Sequence, residues 1–193
     1  MKPWPSCRHS HPFVWAASAL YREFRLTAVL PSRVVVKVNR SASKLCVPIE
    51  LRRLPQTLQD AKYSVPFMVA FSLVHGEPTL ANLNDASLSD AAVLAMASKV
   101  AVEPTNDDAP GLPHACIRIQ VDGLPDRMFD APYVAPDPAA LVEHKFRACL
   151  AFAGFGEAEV VAAWELLGAS IDGDCVALLD LLAVAPRVGA AAS

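Results

Sequence analysis

Residues 66–75 read Pro-Phe-Met-Val-Ala-Phe-Ser-Leu-Val-His, and this stretch constrains the fold more than any other. Ser64 stands where a helix N-cap belongs, Pro66 suits a first turn, and Gly76 supplies a C-terminal stop. The helix so bounded is apolar on nearly every face. A surface helix carries one apolar stripe, whereas one that is apolar all round has to be enclosed by other elements. The run is also far short of the ~20 residues that a bilayer span needs. The chain is therefore expected to fold with this helix at its centre and other elements packed around it.

Periodicity supplies those elements. Pro3, Pro5 and Pro12 make residues 1–12 loop-like, with Ser10 placed to cap a helix that starts near Pro12 and buries Phe13, Ala17, Leu20 and Phe24. Val34, Val36 and Val38 alternate as a strand, while residues 41–55, interrupted by Pro48 and Pro55, read as irregular. A short helix follows at 56–63 and, beyond the central helix, a single capped one at 85–98 with Val93, Leu94 and Met96 inward. Residues 99–103 form a short strand and 104–113 a loop. Ile117, Ile119 and Val121 alternate with Arg118, Gln120 and Asp122, and 128–133 returns as the hairpin partner. After Pro136, Asp137 caps and Pro138 opens a helix expected to bury Val142, Phe146, Cys149 and Ala153. Helices at 157–167 and 175–184 follow, with a frayed tail from Gly189. The expected class is α+β: a small antiparallel sheet with helices on one side, followed by C-terminal helices.

Of the 193 residues, 53% are hydrophobic and 19% charged, somewhat more apolar than is usual for an isolated domain, so either the core is large or some apolar surface is meant for a partner. The net charge of −3 comes from 17 basic and 20 acidic residues without a clustered basic face, which argues against nucleic acid as a ligand. The five cysteines are odd in number and contain no CxxC pair. That pattern suits a reduced, cytoplasmic setting rather than a disulfide framework or a zinc site. Neither a signal peptide nor a membrane segment is expected. Gly154-Phe155-Gly156 follows no strand and reads as a helix–helix turn, and His9-Ser10-His11 lacks a third ligand, so no cofactor and no metal are expected.

Chemistry concentrates in Lys-Pro-Trp-Pro-Ser-Cys-Arg-His-Ser-His at residues 2–11. A lysine, a thiol, a guanidinium and two imidazoles share a proline-stiffened loop ahead of a helix N-terminus, whose free N–H groups and dipole favour anions. Arg8 can hold a carboxylate through two parallel hydrogen bonds. Lys2 or His11 can move a proton beside it.

The same loop, followed by a helix, resembles the segment that opens the C-terminal part of MmgE/PrpD proteins, a family that includes 2-methylcitrate dehydratases, cis-aconitate decarboxylases and iminodisuccinate epimerases. Ala-Lys-Tyr-Ser-Val-Pro-Phe at 61–67 resembles a second family signature, and Glu-His-Lys-Phe-Arg at 143–147 a third. The resemblance covers residues 2 to about 185. It implies an α+β lid over 1–135 and a C-terminal helical segment over 136–193 that docks on a separate helical domain. It also implies a lyase or isomerase that works without a metal, by proton abstraction next to a carboxylate of a di- or tricarboxylic acid.

By position, Lys2 matches the family's active-site lysine, and Cys7 falls where some members carry an active-site histidine. With His11 as a second acid/base candidate, Lys2 and His11 are the catalytic expectation. Cys7 and Arg8 are expected to contact substrate, and Lys62 to make a structural salt bridge. The family's helical N-terminal half, which supplies the other catalytic groups, is not within these residues, so the chain alone is expected to be inactive. A partner-binding or dimerisation module derived from that family is the alternative. The partners implied are a small carboxylic-acid substrate, met once a helical half is present, and a second copy of the chain in a homodimer; neither nucleic acid nor a membrane is expected.

Overall fold

The computed structural model describes residues 2–24, 31–105, 112, 114–170 and 175–183. The chain divides into two compact units, Lys2–Val134 and a second from Ala135 onward.

In the first unit, α1 (His11–Phe24) is entered through a 3-10 turn at Arg8–Ser10. Ser10 therefore sits inside the helical entry rather than capping it, and its hydroxyl donates to the Cys7 carbonyl at 2.7 Å. Phe13, Ala17 and Leu20 are buried as their spacing requires; the side chain of Phe24 lies outside the described residues. β1 (Arg33–Val38) follows. Residues 41–55, read as irregular, instead contain two short helices, α2 (Arg40–Ser43) and α3 (Ile49–Arg53). Asn39 caps α2 by accepting from Ala42 N–H, and Pro48 stands at the N-cap of α3, so the proline marks a helix start rather than a break.

α4 (Leu58–Lys62) leads into α5 (Val65–His75), the central helix. Ser64 caps α5 by accepting from Phe67 N–H at 3.1 Å, and its own hydroxyl donates to the Arg52 carbonyl. Phe67, Met68 and Phe71 are fully buried, each transfer from water contributing about 1.5–3 kcal/mol. α1 packs on one side of α5, and α6 (Ala91–Ser98) on another. The single helix expected over 85–98 is broken at Asp90: a 3-10 turn covers Asp85–Ser89, and Asp90 caps α6 by accepting from Ala92 and Val93 N–H.

β2 (Val100–Pro104), β3 (Ala115–Gln120) and β4 (Arg127–Ala131) complete a four-stranded sheet in the order β2-β1-β3-β4. The class is α+β. The β1–β3 and β3–β4 pairings are antiparallel, but β1–β2 is parallel, Val34 facing Val100 and Val36 facing Val102. The difference has a topological cause. A parallel pair needs a long crossover, and α2 to α6 provide one between β1 and β2. One sheet face places Val34, Val36, Val38, Ile117 and Ile119 in the core formed with α1 and α5. The other carries charge, with Arg118 3.7 Å from Glu103 and His114 2.6 Å from Asp130. Of the loop read at 104–113, residues 106–111 and 113 lie outside the described set.

The second unit contains α7 (Pro138–Phe152), α8 (Glu157–Ser170) and α9 (Val176–Ala183). Asp137 caps α7, as its position suggests, by accepting from Ala140 N–H at 3.2 Å. Gly154, at φ +92°, makes the turn into α8. The expected inward stripe of α7 is not what is buried: Leu141 is its buried residue, Val142, Phe146 and Ala153 are half-buried, and Cys149 is exposed. Phe146 packs on Trp164 of α8 at 5.5 Å between ring centroids. The tail from Gly189 lies outside the described residues. Among the described residues no helix is long and apolar enough to cross a membrane.

Candidate functional site

The 2–11 loop is fixed from several directions. Trp4 is buried, and its indole Nε1 donates to Glu77 Oε2 at 3.3 Å, just beyond the C-terminus of α5. The edge of its ring meets His11 at a centroid distance of 5.4 Å and an interplanar angle of 89°. Ser6 and Ser10 share a hydrogen bond of 2.9 Å between buried hydroxyls. Ser10 N–H donates back to the Cys7 carbonyl at 2.9 Å and closes the turn that starts the helix. A proline-rich loop thus keeps one backbone path, which a site needs if its side chains are to be held in register with a substrate.

One backbone contact joins the two sequence motifs. Cys7 N–H donates to the carbonyl of Lys62 at 2.9 Å. Lys62 is the C-terminal residue of α4, and α4 exists locally because Thr57 caps it by accepting from Asp60 N–H at 3.1 Å. Ser64, two residues on, caps α5 while bonding the Arg52 carbonyl, and Arg52 Nη1 donates to the Tyr63 carbonyl at 3.2 Å. The Ala-Lys-Tyr-Ser motif thus joins the end of α4 to the start of α5, through its backbone and its serine. Among the described residues no ion pair involves Lys62, so the salt bridge expected of it is absent there. The 61–67 motif instead supports the 2–11 loop.

Residues 4–166 match the MmgE/PrpD C-terminal domain. The chain belongs to the MmgE/PrpD family. No curated protein matches it. The family match begins two residues after Lys2, covers Cys7, Arg8 and His11, and runs through β4 and α7 into α8.

The loop separates the four expected site residues by exposure. Lys2 and Arg8 are exposed, Cys7 is half-buried against the core, and His11 is buried at 2%. His11 sits in the first turn of α1 with its ring against Trp4, so it is framed by the fold rather than presented to solvent. Lys2 and Arg8 are the two cations that a ligand arriving from solvent would meet. Among the described residues neither makes an ion pair. His9 is half-buried, and its Nδ1 is enclosed without a partner among the described residues. No group of three or more His, Cys, Asp or Glu side chains among the described residues could hold a metal ion.

The structure adds residues that the loop alone does not show. Trp15, one helical turn beyond His11, packs edge-on against Phe129 of β4 at 4.9 Å and against Tyr133 at 5.7 Å. Burial pushes the Tyr133 phenol above its ordinary value, and the Arg8 guanidinium pulls it the other way. Tyr133 therefore stands within electrostatic reach of the loop, although most of the chain separates the two in sequence. The only sequence signal for it was an aromatic at the end of the expected hairpin strand, and such residues are usually core. Cys46, elsewhere in the core, is an inert thiol: burial raises it to about 12, against the lowering effect of Arg52.

Proposed function

We propose that this chain supplies the lid part of a metal-independent MmgE/PrpD lyase or isomerase acting on a di- or tricarboxylic acid. The observation that carries the reading is the junction of the two family motifs: the Cys7–Lys62 backbone bond holds a loop whose exposed side chains are cations. Arg8 binds a substrate carboxylate, and Lys2 removes the proton from the adjacent carbon. The electron pair left behind delocalises into the carboxylate, where a guanidinium stabilises the added charge. Return of a proton to the opposite face, from an acid of the helical domain, gives epimerisation, and departure of a β-hydroxyl that takes a proton from such an acid, as water, gives dehydration. His11, buried beside Trp4, is the second acid/base candidate of the loop.

In this reading residues 1–135 are the lid and 136–193 dock on a helical domain that brings the remaining acid/base groups, so the present residues alone do not turn over. A second reading, a partner-binding or dimerisation module, is favoured by one feature of the second unit. Phe152, Val161, Val176 and Leu179 are all exposed on its helices, apolar surface that a partner would cover.

The test is to incubate the purified chain, alone and with a helical domain of the family, with citrate, 2-methylcitrate and related acids in heavy water. Proton NMR then reads deuterium entry at the acidic carbon and new vinyl signals. We expect no reaction from the chain alone and turnover from the mixture, reduced on the order of 100-fold by Lys2→Ala or Arg8→Ala. Enzyme-like turnover by the chain alone would remove the need for a helical partner. A tight complex, or a dimer, that turns over none of the acids would favour the second reading.

A further inference from the structure

We infer that Tyr133 is a substrate-binding residue of the 2–11 loop site, its phenol donating a hydrogen bond to the carboxylate that Arg8 holds. The inference rests on the reading of that loop as a carboxylate site, and it adds a residue from the far end of the sheet.

Two side chains whose donors have no partner among the described residues are linked here through the row of side chains that enters α1. Tyr133 is half-buried, with its ring edge-on to Trp15 at 5.7 Å and an interplanar angle of 76°. Among the described residues no hydrogen bond uses its hydroxyl, although buried phenols ordinarily find a partner. Arg8 has no ion pair among the described residues either, yet its charge is felt at the Tyr133 phenol. Arg8, His11 and Trp15 follow one another at helical spacings of three and four residues through the 3-10 turn into α1. This row carries Arg8 at its exposed start and Trp15, the ring on which Tyr133 rests, further along.

A planar guanidinium fork and a neutral O–H together ask for acceptor oxygens on a small anion. A carboxylate offers up to four lone-pair sites, enough for both donors. A tyrosine phenol is protonated at neutral pH, the form in which it donates. Phe129, also against Trp15 at 4.9 Å, helps to fix the indole and so the ring of Tyr133.

The full chain, carrying [13Cε]tyrosine, is titrated with tricarballylate, a tricarboxylate with no hydroxyl to eliminate. The chain has three tyrosines, so Y133F assigns the Tyr133 signal by its loss. We expect that signal to shift saturably while those of Tyr21 and Tyr63 stay in place. Y133F keeps the ring and its contact with Trp15; it should keep the wild-type circular dichroism and bind about tenfold more weakly. R8Q should weaken binding at least as much. A static Tyr133 signal, or Y133F binding as tightly as the wild type, overturns the inference. Binding that depends on Arg8 and not on Tyr133 removes Tyr133 while leaving the loop a carboxylate site. Absence of saturable binding to the wild-type chain, both alone and with a helical domain of the family added, overturns both.

Discussion

At Gly76 two requirements coincide. Its φ is +77°, a conformation that L side chains rarely adopt, and a Cβ there would sit 3.0 Å from Cδ1 and Cε1 of Tyr21 on α1. Gly76→Ala is therefore expected to cost about 1–3 kcal/mol, measured as a lower urea midpoint at unchanged slope. The loss should extend to the candidate site, because the next residue, Glu77, accepts from the Trp4 indole. A glycine after an apolar helix is visible in a sequence as a stop. Its contact with Tyr21 is not, since it depends on how α1 lies against α5. The same limit applied to the site. The residue types of the 2–11 loop pointed to anion chemistry. Yet the burial of His11 against Trp4 and the exposure of Arg8 depend on how the loop packs on the fold, and Tyr133 meets Trp15 only through the return of β4.

Elements with a strong period and a cap were legible; those defined by a single local bond were not. α5 was bounded correctly because Ser64, Pro66 and Gly76 surround a continuous apolar run. The break at Asp90 was missed because the apolar pattern on either side suits one long helix, and only the hydrogen bonds of Asp90 to Ala92 and Val93 N–H end one turn and start α6. That residue ties two elements together, since His75 at the end of α5 lies 2.7 Å from its carboxylate. Burial pushes Asp90 upward, but the bonds from His75, Val93 and Ala92 outweigh it and hold the carboxyl below its ordinary 3.8. The folded chain thus releases this proton more readily than the unfolded one. The stabilisation is complete above the unfolded value and is lost as the pH falls through the lower folded value. Asp90→Ala should cost about 1 kcal/mol at neutral pH, the usual worth of an N-cap. The gap from wild type should narrow as the pH falls below about 4. Asp90→Asn should retain most of the cap and lose that pH dependence. Thermal melts at neutral and acid pH distinguish the two effects.

At the scale of the whole molecule, the burial of apolar side chains is divided unevenly between the two units. Every residue of the large core cluster, from Trp4 to Val121, belongs to Lys2–Val134, and it includes the fully buried Phe13, Phe67, Met68, Phe71, Ile117 and Ile119. The second unit buries only Leu141, Phe155, Val160, Ala163 and Leu178 among its described apolar residues. Contacts among its described residues include Phe146 on Trp164, Arg147 over the same ring at 5.9 Å, and an Arg147–Glu143 bridge of 2.9 Å. An exposed helical ion pair of this kind contributes only about 0.3–0.5 kcal/mol. The MmgE/PrpD match crosses the boundary between the units, running from residue 4 to 166, so family membership alone does not say which part can fold by itself. The burial does. A fragment of residues 1–134 should melt cooperatively by circular dichroism, because its central helix is enclosed by elements of the same fragment. A fragment of residues 135–193 should show weak helicity and no cooperative transition, since a chain of about 60 residues is marginal even with a good core. A sharp melt from that second fragment would show that α7, α8 and α9 stabilise one another without help. Their exposed apolar residues would then have to be explained by something other than a missing covering surface.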